Sequence, residues 1–300
     1  MTALPSPLAL DGWLEFNERK WGVRAERVRY PDERGPLSTV LYLNRRGRVL
    51  LPRLNPYLPV TFEERKSAPY RAIRAWGSAA RAFAVDLRGR GLAGTIAFPP
   101  AVRDLRAWSW QGFRIGVRYT LIQDLPVPET SVDPANRRRA RRAAAAGYRC
   151  ERTDSYADVL ACISGTEQRQ RFQYGLSLED LRMLSAAMGD GLRAYVCYDP
   201  AGNPAAARLI LYCPDGEAID WVNGTQRAEL ASGAVPLLIS FALEDLHAAG
   251  APALDWEGAN IPSIAAAKER WGGRIEPWFT VEPLTVSNLA RWVYAQFRYR

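Results

Sequence analysis

The chain has one histidine in 300 residues, His247, and only three lysines, Lys20, Lys66 and Lys268. A single histidine argues against a Cys/His zinc site. It also argues against Ser/His or Cys/His covalent catalysis, because His247 lies in an alanine-rich helical stretch with no evident partner. The four cysteines (Cys150, Cys162, Cys197 and Cys213) have no C-x-x-C spacing and sit in or beside apolar segments. They are expected as reduced, partly buried thiols of a cytoplasmic protein. No run of 18 apolar residues occurs and the first ten residues lack a basic, apolar leader, so neither a membrane span nor a signal peptide is predicted. The phosphate-binding pattern G-x-x-x-x-G-K-[ST] and the nucleophile pattern G-x-S-x-G are both missing. No metal and no tightly bound cofactor are expected.

What is present is an ordinary globular balance, 48% hydrophobic and 24% charged, with ten Trp and thirteen Tyr. The length suits two domains or one large one. Net charge is +8, carried almost wholly by arginine. Such a field favours anionic partners such as CoA phosphates, a nucleotide, tRNA or a phosphorylated lipid precursor. Solvated arginine faces account for it equally well. DNA is not an expected partner.

Hydrophobic periodicity predicts helices over 11–20, 68–87, 134–146, 156–163, a helix capped by Ser177, 232–249, 261–271 and 286–297. Strands are predicted over 24–30, 39–43, 48–51, 95–98, 107–112, 114–125, 148–152, 192–198, 206–213, 217–223, 254–256 and 275–281. Asn44-Arg45-Arg46-Gly47 marks a hairpin, and three prolines between 52 and 59 mark a fixed loop. Asp133 and Pro134 open a helix that Gly147 closes. Pro126-Val127-Pro128 breaks the chain, dividing it into 1–125 and 126–300. Three antiparallel strands followed by helix, strand, helix, strand describe a mixed α+β fold rather than strict βαβ alternation.

Four features could carry chemistry. Trp221-Val222-Asn223-Gly224-Thr225 precedes Ser232-Gly233-Ala234, which opens a helix whose free N–H groups favour an anion. Leu254-Asp255-Trp256-Glu257-Gly258-Ala259-Asn260 exposes two carboxylates at a strand end, suited to taking a proton from an amine; either could instead cap the following helix. Tyr119, beside Arg118 on the long strand, could donate a hydrogen bond or be a core aromatic. In the basic helix, Arg138 and Arg142 share a face at i,i+4.

The order of these motifs resembles that of Fem-type transferases of the GNAT superfamily. Arg118-Tyr119-Thr120 with Asp124-Leu125 is similar to the strand entering their second half. The helix ending Ala146-Gly147-Tyr148 is similar to their R-K-A-x-x-x-G helix. Asp255-Trp256-Glu257-Gly258-Ala259 resembles D-F-E-G-S, and Ala267-Lys268 with Trp271-Gly272 resembles F-K-x-x-F-G. Trp256, Ala259, Ala267 and Trp271 depart from that pattern. The resemblance covers about 103–281. It implies tandem GNAT-like units, each a central mostly antiparallel sheet flanked by helices. It also implies direct transfer of an acyl group to an amine, without an acyl-enzyme. On this reading Glu257, Asp255 and Tyr119 are catalytic. Asn223, Gly224, Ser232, Gly233 and Ala234 bind the donor, while Arg118, Arg138, Arg142, Asn260, Lys268 and Trp271 bind substrate. The donor is an acyl-CoA or an aminoacyl-tRNA, and the acceptor a small-molecule or peptide amine, with a peptidoglycan precursor as one case. A non-enzymatic binding protein on a degenerate scaffold stays open beside these.

Overall fold

Strong local signals set most of the elements in the computed structural model, which describes residues 5–31, 35–63 and 68–284. In chain order these are α1 (Asp11–Trp21), β1 (Arg24–Tyr30), β2 (Leu37–Leu43), β3 (Val49–Leu50), β4 (Val60–Phe62), α2 (Pro69–Arg90), β5 (Ile96–Phe98), α3 (Arg106–Trp110) and β6 (Phe113–Asp124). They continue as α4 (Pro134–Ala145), β7 (Arg149–Arg152), α5 (Tyr156–Gln170), α6 (Leu178–Met188), β8 (Leu192–Tyr198), β9 (Pro204–Tyr212), β10 (Ala218–Thr225), α7 (Ala234–Ala248), β11 (Ala253–Asp255), α8 (Pro262–Glu269) and β12 (Arg274–Pro283). The helix expected over 286–297 lies outside the described residues. The chain is α+β, as its pattern of elements predicts.

Two compact units emerge, one holding 17–118 and the chain from 277, the other holding the segment up to 16 and 119–276. The chain passes from the first to the second within strand β6, between Arg118 and Tyr119.

In the first unit β2 pairs antiparallel with β1, β3 and β4. The β2–β3 turn is the expected Asn44–Gly47 hairpin, with Gly47 at φ 72°. Strand β4 emerges at the end of the proline loop, an element that the prolines mask in the sequence. Residues 107–112, expected as strand, contain helix α3 instead. A strand would put Trp108 and Trp110 on one face. The core has room for one of them: Trp108 is fully buried against Phe83 and Phe98, while Trp110 is 60% exposed. A helical turn separates the two rings.

In the second unit the sheet runs from the Tyr119–Asp124 part of β6 through β11, β10, β9 and β8 to β7. Only the β10–β11 pair within it is parallel. Helix α7 covers one face, packing on Tyr195, Cys197, Ala206 and Ile210. It is fastened by Asp245, which accepts from Arg193 and Tyr195 at 2.7 Å each. Helix α5 covers the other face and approaches β10 closely at Gly224. A β-carbon there would stand 2.3 Å from the Ile163 nitrogen. Gly224→Ala is therefore expected to destabilise the protein by about 3 kcal/mol or more, read as a fall in the urea midpoint, because two backbones must separate. Helix α6 begins with a capping box, Ser177 paired reciprocally with Asp180.

Candidate active site

A β-bulge shapes the middle of the second unit. Asp220 pairs with Ile210 and Val222 with Leu209, so Trp221 is the extra residue. The bulged indole packs edge-on against Trp13 at 5.3 Å. Strand β11 pairs with β10 only at Ala218 and Ile219, before the bulge. Beyond it the two strands part, and β11 gives way to the loop 256–260.

That loop is held by main-chain and side-chain contacts from several directions. Thr120 donates to Asp255 Oδ1 at 2.6 Å, and the Glu257 N–H donates to the same oxygen at 2.8 Å. The Gly258 N–H reaches Thr120 Oγ1 at 3.2 Å. The Asn260 amide bridges the Tyr119 N–H and carbonyl at 2.9 and 3.0 Å, and the Ala259 N–H also donates to Tyr119 O. Lys268 Nζ donates to the carbonyls of Trp256, Glu257 (2.7 Å) and Gly258 (2.9 Å). Three carbonyls turned onto one ammonium force a tight bend, and Glu257 takes a left-handed φ of 51° to make it.

The side chain this bend presents is Glu257. Among the described residues its carboxylate accepts no hydrogen bond. Burial pushes its pKa up to about 8, against the attraction of Lys268 and with the repulsion of Asp255 and Asp220. Burial in turn lowers the pKa of Lys268. Asp220 is 2% exposed and ion-paired with Arg208, whose guanidinium lies 5.4 Å from the Trp256 ring centre. Tyr174 comes from the loop between α5 and α6. Burial first, then Asp220 and Glu257, raise its phenol to about 12.

The structure thus brings together Asp255, Glu257, Asn260, Lys268 and the Tyr119 main chain. The Tyr119 side chain is 48% exposed, and as the neighbour of buried Thr120 on a strand it points to the opposite face. Trp271 is buried beside Trp256, ring centres 6.2 Å apart. Arg118 is exposed at the last residue of the first unit. Arg138 and Arg142 do share an exposed face of α4, without an ion pair to another described residue. At the start of α7, Ser232 Oγ accepts from the Ala234 N–H at 3.1 Å. The space beside Gly233 is taken by the Arg139 carbonyl, 2.4 Å from where a β-carbon would stand. Asn223 lies on β10 beyond the bulge, in the stretch that has left β11.

Sequence reasoning missed Thr120, Tyr174, Arg208 and Asp220. A signal existed for two of them: Arg208 and Asp220 each interrupt an apolar strand run, and a charge there needs a partner. Tyr174 has no such mark.

Among solved structures, that of FemX aligns over 93% of this chain and 92% of its own, with 13% identity and a TM-score of 0.66. In fold the chain is similar to FemX. The motif order implied a Fem-type fold, and the fold observed is similar to that of FemX. The C-terminal domain of a protein described as a lysylphosphatidylglycerol synthetase, from Agrobacterium fabrum, aligns over 91% of this chain and 88% of its own (12% identity, TM-score 0.59). L-PGS from Bacillus licheniformis aligns over 98% and 97% (12%, 0.55). No family model and no curated protein matches the sequence. At such identities the FemX likeness establishes the fold, and the chemistry rests on the residues. Among the described residues no group of His, Cys, Asp and Glu could hold a metal ion. Nor is any helix there long and apolar enough to cross a membrane.

Proposed function

We propose that this protein transfers an acyl or aminoacyl group directly to an amine, with Glu257 as the base. The observation that carries the reading is the Glu257 carboxylate. It is unpartnered among the described residues, raised to about 8, and carried by a loop whose main-chain carbonyls Lys268 holds, at the point where β10 and β11 part. A base poised near neutral pH suits an ammonium that must lose a proton before or during attack. The main chain of β10 past the bulge, at Asn223, offers polar groups for the donor carbonyl. One of the similar folds carries the name of a lysylphosphatidylglycerol synthetase, which supports transfer chemistry on this scaffold. The donor is an aminoacyl-tRNA or an acyl-CoA, and the positive charge favours either polyanion.

Transfer from alanyl-tRNA and from acetyl-CoA to the peptide Gly-Gly-Lys, followed by mass spectrometry at fixed salt, tests this. Product is expected from one donor, which also raises the melting temperature. Its rate should climb about tenfold per pH unit from pH 6 and level off above about pH 8, because only the ionised carboxylate is a base. Absence of product from both donors, with no thermal shift, would leave a binding protein. A rate flat from pH 6 to 9 would remove Glu257 as the base.

A further inference from the structure

Strand β7 ends the second unit's sheet, and its register on β8 sets Cys150 directly opposite Cys197. Hydrogen bonding further along the two strands fixes what kind of pair this is. The Thr153 N–H donates to the Ala194 carbonyl at 2.9 Å, at the position next to the paired Arg152 and Tyr195. Antiparallel pairs alternate between hydrogen-bonded and non-hydrogen-bonded, so Glu151–Val196 is a bonded pair and Cys150–Cys197 a non-bonded one. In a non-bonded pair the α-carbons stand about 4.5 Å apart and the side chains lie close together. That spacing falls inside the range of about 4.4 to 6.8 Å that disulfides span. Both side chains point to the α7 face: Cys197 is fully buried in that core, and half-buried Cys150 packs against it from the edge. A hydrogen bond between the two thiols, together with burial, raises the pKa of Cys150. The other two cysteines are placed differently. Cys162 lies on α5, against the opposite face, and Cys213 follows β9 at the far end of its pairing with β8.

We propose that Cys150 and Cys197 are a site of reversible oxidation, forming a cross-strand disulfide when the protein meets a low-molecular-weight disulfide such as oxidised glutathione. The Cys150 sulfur, as thiolate, attacks one sulfur of the oxidant. The S–S bond there breaks and releases one glutathione thiolate, which takes up a proton. The Cys197 sulfur, losing its own proton, then attacks the Cys150 sulfur and expels the second glutathione. Two protein thiols are thus oxidised by two electrons, and one small disulfide is reduced to two thiols. Burial and the shared hydrogen bond keep the Cys150 thiol protonated at neutral pH, so exchange is slow there and quickens as pH rises. The bond fastens a short edge strand, Arg149–Arg152, to its neighbour and closes a loop that carries α5 and α6. Such a cross-link narrows the unfolded ensemble and so stabilises the folded chain.

The test incubates the folded, full chain with oxidised glutathione at about pH 8, alkylates the remaining thiols in denaturant and maps the peptides by mass spectrometry without reduction. A Cys150–Cys197 cross-link is expected, with Cys162 and Cys213 alkylated and the melting temperature higher by about 5 to 10 °C. Dithiothreitol should reverse the cross-link and the thermal shift together. Cys150→Ser should give neither. A variant carrying Cys162→Ser and Cys213→Ser keeps only the facing pair and should cross-link as the parent does. All four thiols free after oxidation, a cross-link between other cysteines, or glutathione retained on Cys150 would overturn the proposal. A cross-link that lowers the melting temperature would show that the paired strands do not accommodate the bond, and would overturn it equally.

Discussion

Glu257→Gln is expected to lower transfer about 10³-fold, within the range that a positioned general base contributes. The amide keeps the size of the carboxyl and leaves the Lys268 contacts intact, because those are made to main-chain carbonyls. What it removes is the proton acceptor, so the rise of rate with pH toward about 8 should vanish along with the activity. The same change has an opposite effect on stability. The folded carboxyl holds its proton up to about 8, whereas in the unfolded chain it releases it near ~4.3. Between those values the folded state binds more protons than the unfolded one, so stability falls as pH rises through that window. Glutamine has no such dependence. Melting temperatures of the two proteins should be close at pH 5 and diverge in favour of Glu257→Gln by pH 9. A variant that is inactive yet more stable at high pH would mark a residue held for chemistry. A variant destabilised at both pH values would mark a structural one.

Arg208→Met is expected to destabilise the second unit by about 3 to 5 kcal/mol, the usual consequence of removing one partner of a buried ion pair. Asp220 is left almost fully buried, and its Oδ1 already lacks a partner among the described residues. The guanidinium stacked near Trp256 is lost as well. The loss should appear as a drop in the urea midpoint followed by tryptophan fluorescence. Adding Asp220→Leu should recover most of it, since a well-packed apolar pair does not carry the desolvation penalty of two charges. A single variant within 1 kcal/mol of the parent would mean that water reaches Asp220. The double variant also lifts one of the repulsions on Glu257, so its pH profile should shift to lower pH.

How much of this was legible differs by element. Strands β1 and β8 lie where alternation and apolar runs place them, because each side chain's environment there follows from its own strand. The Asp133 and Ser177 caps were equally readable, being contacts between residues two or three apart. Helix α3 was not, since its form turns on whether one tryptophan or two can be buried, which Phe83 and Phe98 decide from distant segments. The loop carrying Asp255 and Glu257 was visible as a motif. Which of its carboxylates is free was not: Asp255 is held by Thr120 and a main-chain N–H, and Thr120 lies 135 positions away.

By itself the sequence determined the α+β pattern, the caps and turns, and the short list from which Glu257 and Lys268 come. The pattern, caps and turns follow from local periodicity and from residues that contact near neighbours, and the short list from the order of motifs and its resemblance to the Fem type. Only the tertiary structure decided that Gly224 and Gly233 make room for helix backbones, that Lys268 gathers three carbonyls, and that the Glu257 carboxylate is left unpartnered among the described residues. The reason is physical: a raised pKa, an unpartnered carboxylate and a close backbone approach belong to the groups brought around a residue, and those groups come from segments far apart in the chain.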